Sequence, residues 1–123
     1  MPWGNDMSRS TEDFVKNLVA ALPQLEVIYR EHLADNDELL PHVFMGEIAR
    51  LVLADVKNAE RAGWLSTLLE LLESGLCSGR SEIAELIGVS FVENLCAENA
   101  AVHSLLPKLG EGLRKEFRSI CGV

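Results

Sequence analysis

Long hydrophobic runs are missing from this chain. Its densest apolar clusters, LSTLLELL and LIGVSFV, are broken by Ser, Gly or Glu well short of the roughly 20 residues that a membrane-spanning helix needs. The opening MPWGNDMSRS has no basic region followed by an apolar stretch, so no secretory signal is expected. Cysteine is limited to Cys77, Cys96 and Cys121, which cannot all pair within one chain and form no short disulfide framework. Reduced thiols in a cytosol are the simplest expectation. Aromatics make up only 6% of the residues while 48% are hydrophobic, and Leu, Val, Ala and Ile dominate. That balance suits helices packed on helices better than a half-wet sheet.

Basic residues are also few, and their placement excludes one class of ligand. The formal charge is −8; Glu26 to Glu98 carries fourteen acidic against five basic residues, while residues 1–25 contribute −1 and residues 99–123 contribute +2. Binding nucleic acid requires cations that displace counterions from phosphates, so a direct nucleic-acid ligand is not expected. An acidic middle instead favours encounter with a basic partner, although net charge by itself also keeps proteins dispersed.

With 123 residues the chain has the length of one domain that buries about two-thirds of its unfolded surface. Residues 1–9 lack an apolar period and are expected to form a flexible lead-in, leaving 10–123 as a single helical domain. Ser10 followed by Asp13 resembles a helix start, with Phe14, Leu18, Leu22 and Leu25 on one face until Pro23 intervenes. A second helix is predicted from Pro23 to about Ala34, burying Leu25, Ile28, Tyr29 and Leu33. Phe44, Ile48, Leu51, Val52 and Val56 define a third from about Pro41 to Asn58, and Trp64 to Leu76 a broad Leu-rich fourth. The run from Glu82 to about Cys96 should be the most buried helix, with Ile83, Leu86, Ile87, Phe91 and Leu95 as its face and Val89 and Val92 widening it. Pro107, Gly110 and Gly112 split the remainder into two short helices. The fold class read from this pattern is all-α, a bundle of about six or seven antiparallel helices joined by short links.

HLADNDELLPHVF, His32 to Phe44, is the stretch richest in chemistry. A calcium loop beginning at Asp35 would need Gly at its sixth position and Glu at its twelfth; Leu40 and Gly46 stand there, so calcium is rejected. His32, His42 and His103 show no metal-ligand spacing, and CxxC and HExxH are absent, so no metal is expected. Asp37 reads as a helix cap and Pro41 as an early helical residue. Gly88-Val89-Ser90-Phe91-Val92 lacks one glycine of a nucleophile elbow and has no preceding strand; Ser90 is expected to bond back to its own turn. Neither Cys77 nor Cys96 paired with His103 is marked as an activated thiol, and a core role is the default. GLCSGRS, from Gly75, lacks phosphate-loop spacing. The acid pairs Glu70 with Glu73 and Glu82 with Glu85 could do acid/base work, but a solvated charged face explains them as well. No catalytic residue and no cofactor is assigned.

Two stretches, LLPHVFMGEIARLV from Leu39 and ELIGVSFVENL from Glu85, resemble a family of small bacterial helical proteins. In that family a turn ending in LLPH leads into a long helix and a later helix carries V-S-F-x-E-N-L. The likeness covers most of residues 12–98, and these proteins look like the immunity proteins of polymorphic toxin systems. The resemblance implies a cytoplasmic protein, without catalysis, that neutralises a cognate toxin domain, expected to be basic, by protein–protein contact. Membrane and nucleic acid are not among the implied partners. Asp35, Asp37, Glu38, Glu47 and Asp55, on the corner and the polar side of the third helix, are the acids expected to pair with partner cations. The alternatives are a helical adaptor or homodimer, or a small hydrolase using His42 and Glu47.

Overall fold

The computed structural model describes residues 5–54, 63–97 and 99–122, which fold as an all-α bundle. Helix α1 spans Asn5–Ala21. A 3-10 turn, Pro23–Leu25, leads into α2, Glu26–Asn36, because Pro23 cannot donate the amide that would continue α1. The next helices are α3, Pro41–Ala54, and α4, Trp64–Leu76. Helix α5 runs without a break through an α-helical turn (Ser81–Glu85), a π-helical segment (Leu86–Val92) and a short α-helical end (Glu93–Leu95). Then α6, Asn99–Leu105, ends in a 3-10 turn, Leu106–Lys108, and α7, Glu111–Cys121, closes the chain. No described helix is long and apolar enough to cross a membrane.

Helix α5 lies at the centre, against α1, α3, α4, α6 and α7, and its π-helical segment forms its broadest contact with α3. Ile83, Leu86, Ile87, Phe91, Val92 and Leu95 are buried as expected, each contributing roughly 1.5–3 kcal/mol of apolar transfer. Val89 is different. It is 50% exposed, because the π-helical winding differs from the 3.6-residue period on which its burial was expected. Three helices converge at Gly75 of α4: a Cβ there would lie 2.7 Å from the Phe14 ring of α1 and 3.1 Å from Ile87 of α5.

Two local expectations change, and a third lies outside the described residues. Helix α1 begins at Asn5, so Ser10 is an interior residue, and its hydroxyl accepts a 3.1 Å bond from Arg80 Nη1 instead of capping. Nothing between Asn5 and Ser10 breaks a helix, which is why no start signal is needed at Ser10. The end of α3 that was expected at Asn58 falls outside the described residues beyond Ala54. The cysteines differ most: Cys96 and Cys121 form a disulfide with Cα atoms 5.3 Å apart, while Cys77 is free and exposed. Reduced thiols were expected because no short framework is visible. The pair spans 25 residues and meets only because the ends of α5 and α7 are packed together.

Asp37 ends α2 in the left-handed conformation, at φ 64°, its amide bonding the Leu33 carbonyl at 2.8 Å. It thus closes the helix before it and does not cap the helix after it. Glycine is the residue best suited to that backbone. We expect Asp37→Gly to leave the fold intact and to be neutral or stabilising by up to about 1 kcal/mol in urea denaturation, whereas Asp37→Val should destabilise.

Candidate functional site

The corner between α2 and α3 is built around His32, which is fully buried although it lies on a helix with little apolar character. Its Nε2 accepts the Leu40 backbone N–H at 2.9 Å. A neutral imidazole that accepts at Nε2 carries its proton on Nδ1, and that proton points to Glu47 Oε1, 3.1 Å away on α3. Asn36 Nδ2 also lies 3.4 Å from Nδ1, but its well-formed bond is the 2.9 Å one to the His32 carbonyl. The ring packs edge-on to Phe44, with centroids 5.3 Å apart, and Tyr29 meets Phe44 in the same way at 5.5 Å. His32 therefore satisfies its polar atoms inside the protein and fixes the entry of Leu40 into α3. The Leu40 carbonyl then accepts the Phe44 amide at 2.9 Å, and Pro41, lacking a donor, starts the helix.

One turn further on, α3 meets the π-helical part of α5. His42 Nδ1 and Ser90 Oγ share a 2.6 Å hydrogen bond across 48 residues of chain. The expected bond from Ser90 to its own turn is replaced by this one. The Ser90 carbonyl accepts Asn94 Nδ2 at 2.6 Å. Asn94 in turn lies over Gly46, where a Cβ would be 3.3 Å from its Nδ2. His42 faces Ser90 and Gly46 faces Asn94, so α3 and α5 run in the same direction here. LLPHVFMGE and VSFVENL are thus the two halves of one packed seam.

A Ser–His hydrogen bond raises the question of nucleophilic chemistry. Ser90 is only 6% exposed, so its hydroxyl is closed to a substrate carbonyl, and among the described residues no carboxylate bonds the other nitrogen of His42. The hydroxyl joins two helices. The acid/base pairing of His42 with Glu47 does not form, because Glu47 is held by His32.

Beside this seam lies an open cleft of about 450 Å³ between Thr11 and Glu12 in the middle of α1, the α2–α3 corner and the first turn of α5. Glu12, Glu38, Glu82 and Glu85 line it together with His42, and no Lys or Arg is among its described lining residues. A site of this composition attracts cations and repels phosphate. Among the described residues no group of three or more His, Cys, Asp or Glu converges to hold a metal ion.

The acids singled out from the sequence part company. Glu38 is exposed on the cleft wall, and Asp35 and Asp37 are exposed at the end of α2. Glu47 is largely committed to His32, its side chain 28% exposed. Asp55 lies outside the described residues. Glu12, Glu82 and Glu85 were not singled out as partner-facing; the three-residue spacing of Glu82 and Glu85 is the only local signal, and nothing nearby in sequence points to Glu12.

A family model for a domain of unknown function, DUF7674, matches residues 15–122. The chain belongs to the DUF7674 family. The match takes in α6 and α7, so the basic C-terminal part, which the resemblance read from the sequence leaves out, is an integral part of this DUF7674 domain. No curated protein and no solved structure matches the chain.

Proposed function

We propose that this DUF7674 chain is an immunity protein that acts in the cytoplasm, binding and neutralising a basic toxin domain through the acidic cleft. The observation that carries this reading is the gathering of Glu12, Glu38, Glu82 and Glu85 around one opening without a described cation among them. Two of the walls adjoin the seam where the stretches that resemble immunity proteins meet; Glu12, Glu82 and Glu85 sit on helices, and Glu38 sits in the short corner between α2 and α3 that His32 holds through Leu40. Such preorganised charge speeds encounter with a basic surface and discriminates against other partners. Asp35 and Asp37, exposed beside Glu38, extend the negative surface along the corner.

Glu38 and Glu85 are exposed, so reversing them leaves the core untouched. We expect Glu38→Lys combined with Glu85→Lys to slow association with the cognate toxin domain by about tenfold or more at low salt. The salt dependence of binding should weaken, and co-expression should no longer rescue growth, while the circular dichroism spectrum stays that of the wild type. Unchanged affinity and protection would remove the cleft as the binding surface.

A further inference from the structure

Helix α7 is fastened at three places, and they differ in kind. At its start the Glu73 carboxylate of α4 accepts the Gly112 and Leu113 amides, at 2.7 and 2.8 Å. In its middle Leu113 and Phe117 are fully buried. Its last turn has neither anchor: Arg118 and Ser119 are exposed, and Ile120, the only large apolar side chain there, is 37% exposed. What holds that turn is the Cys121–Cys96 disulfide to the end of α5. Neither Cys96 nor Cys121 is fully buried.

We propose that Cys96–Cys121 is a redox-operated clasp for the last turn of α7. Closed, it seats Ile120 over Gly88, where a Cβ would be 3.3 Å from Ile120 Cδ1, and covers that side of the π-helical segment. Opening consumes a reductant of the glutathione class: two thiols are oxidised to one disulfide as the Cys96–Cys121 bond is reduced to two thiols, passing through a mixed disulfide. The turn from Arg118 to Cys121 then frays, because the contacts left to it are too few to offset its chain entropy. Glu73, Leu113 and Phe117 keep the rest of α7 docked. Opening is local: Glu116, whose Oε1 would be 2.6 Å from a Cβ at Gly88, stays with the docked part of α7, and in a reducing cytosol only the Ile120 side of Gly88 would be uncovered. The clasp stands independently of the immunity reading.

The test is amide hydrogen exchange by NMR on the full chain carrying Cys77→Ser, which removes the exposed free thiol, compared after air oxidation and after reduction with excess dithiothreitol. We expect protection at the Cys121 and Gly122 amides to fall about tenfold or more on reduction, with Leu113 and Phe117 changing less than about twofold. A second replacement, Cys96→Ser, should reproduce the reduced pattern without reductant. Three results would each overturn the clasp: unchanged protection of the last turn after both thiols are released, equal loss along the whole of α7, or two free thiols in the air-oxidised chain.

Discussion

His32→Ala is expected to cost about 3–4 kcal/mol of folding stability, an unusually large effect for a histidine. Two losses combine. Removing a fully buried ring leaves a cavity against Phe44, and large-to-small core changes of this kind cost about 2–5 kcal/mol. The Leu40 N–H also loses its acceptor at the point where the chain turns into α3, and an unsatisfied buried donor costs about 1–3 kcal/mol. The two overlap, because a collapsed corner can admit water to Leu40, so the sum is held below their simple total. His32→Gln, whose amide oxygen can reach toward the same N–H, should recover part of the loss, while His32→Leu restores volume without an acceptor and should recover less. Urea denaturation followed by circular dichroism measures all three. A cost under about 1 kcal/mol for His32→Ala would mean that the corner does not depend on the imidazole. Glu47→Gln should be milder than His32→Ala, since the carboxylate is partly in water, which screens the pair.

Glu73→Ala is expected to cost about 2–3 kcal/mol, by removing a helix cap supplied from another helix. The α7 start has Gly110 in extended conformation and no side-chain cap of its own. Glu73 provides what Ser or Asp normally provides at that position, accepting two orphan amides, and its charge faces the positive end of the helix dipole. Loss of an ordinary cap costs about 0.5–2 kcal/mol; two charge-assisted bonds at a partly buried site place Glu73 above that range. Glu73→Gln keeps one acceptor oxygen and should lose about half as much. A side chain at either nearby glycine would push this carboxylate off the two amides: a Cβ at Gly112 would lie 2.8 Å from Glu73 Oε2, and one at Gly110 would lie 2.7 Å from its Cδ. The same urea series checks the order wild type, Gln, Ala. If Glu73→Gln and Glu73→Ala were equally costly, the neutral amide would be no better than no acceptor.

Both side chains show where local reading reaches its limit. Periodicity finds α4 through its wide Leu stripe, and the Ser78-Gly79 turn marks its end; where it begins, near Gly63, was open by several residues and is Trp64 in the structure. It cannot find His32 in the core. A histidine is polar on any scale, and its burial depends on Leu40, eight residues on, and Glu47, fifteen residues on, presenting the right groups. Glu73 reads as one more acid on a helical face; its partners are 39 and 40 residues away. The cleft has the same character, since Glu12, Glu38, Glu82 and Glu85 come from three separate parts of the chain.

Helical periodicity, Pro23 and Pro41 at helix starts and an acidic middle are legible in the linear chain, and with them the all-α class. These depend on neighbours a few residues apart, whose geometry is fixed by the helix itself. Only the tertiary structure decided the pairings of His32 with Glu47 and Leu40, His42 with Ser90, Glu73 with the start of α7, and Cys96 with Cys121. Each joins groups whose separation in space is set by how whole helices pack. Hydrogen bonds and disulfides respond to ångströms, and a linear pattern carries no ångströms between distant residues.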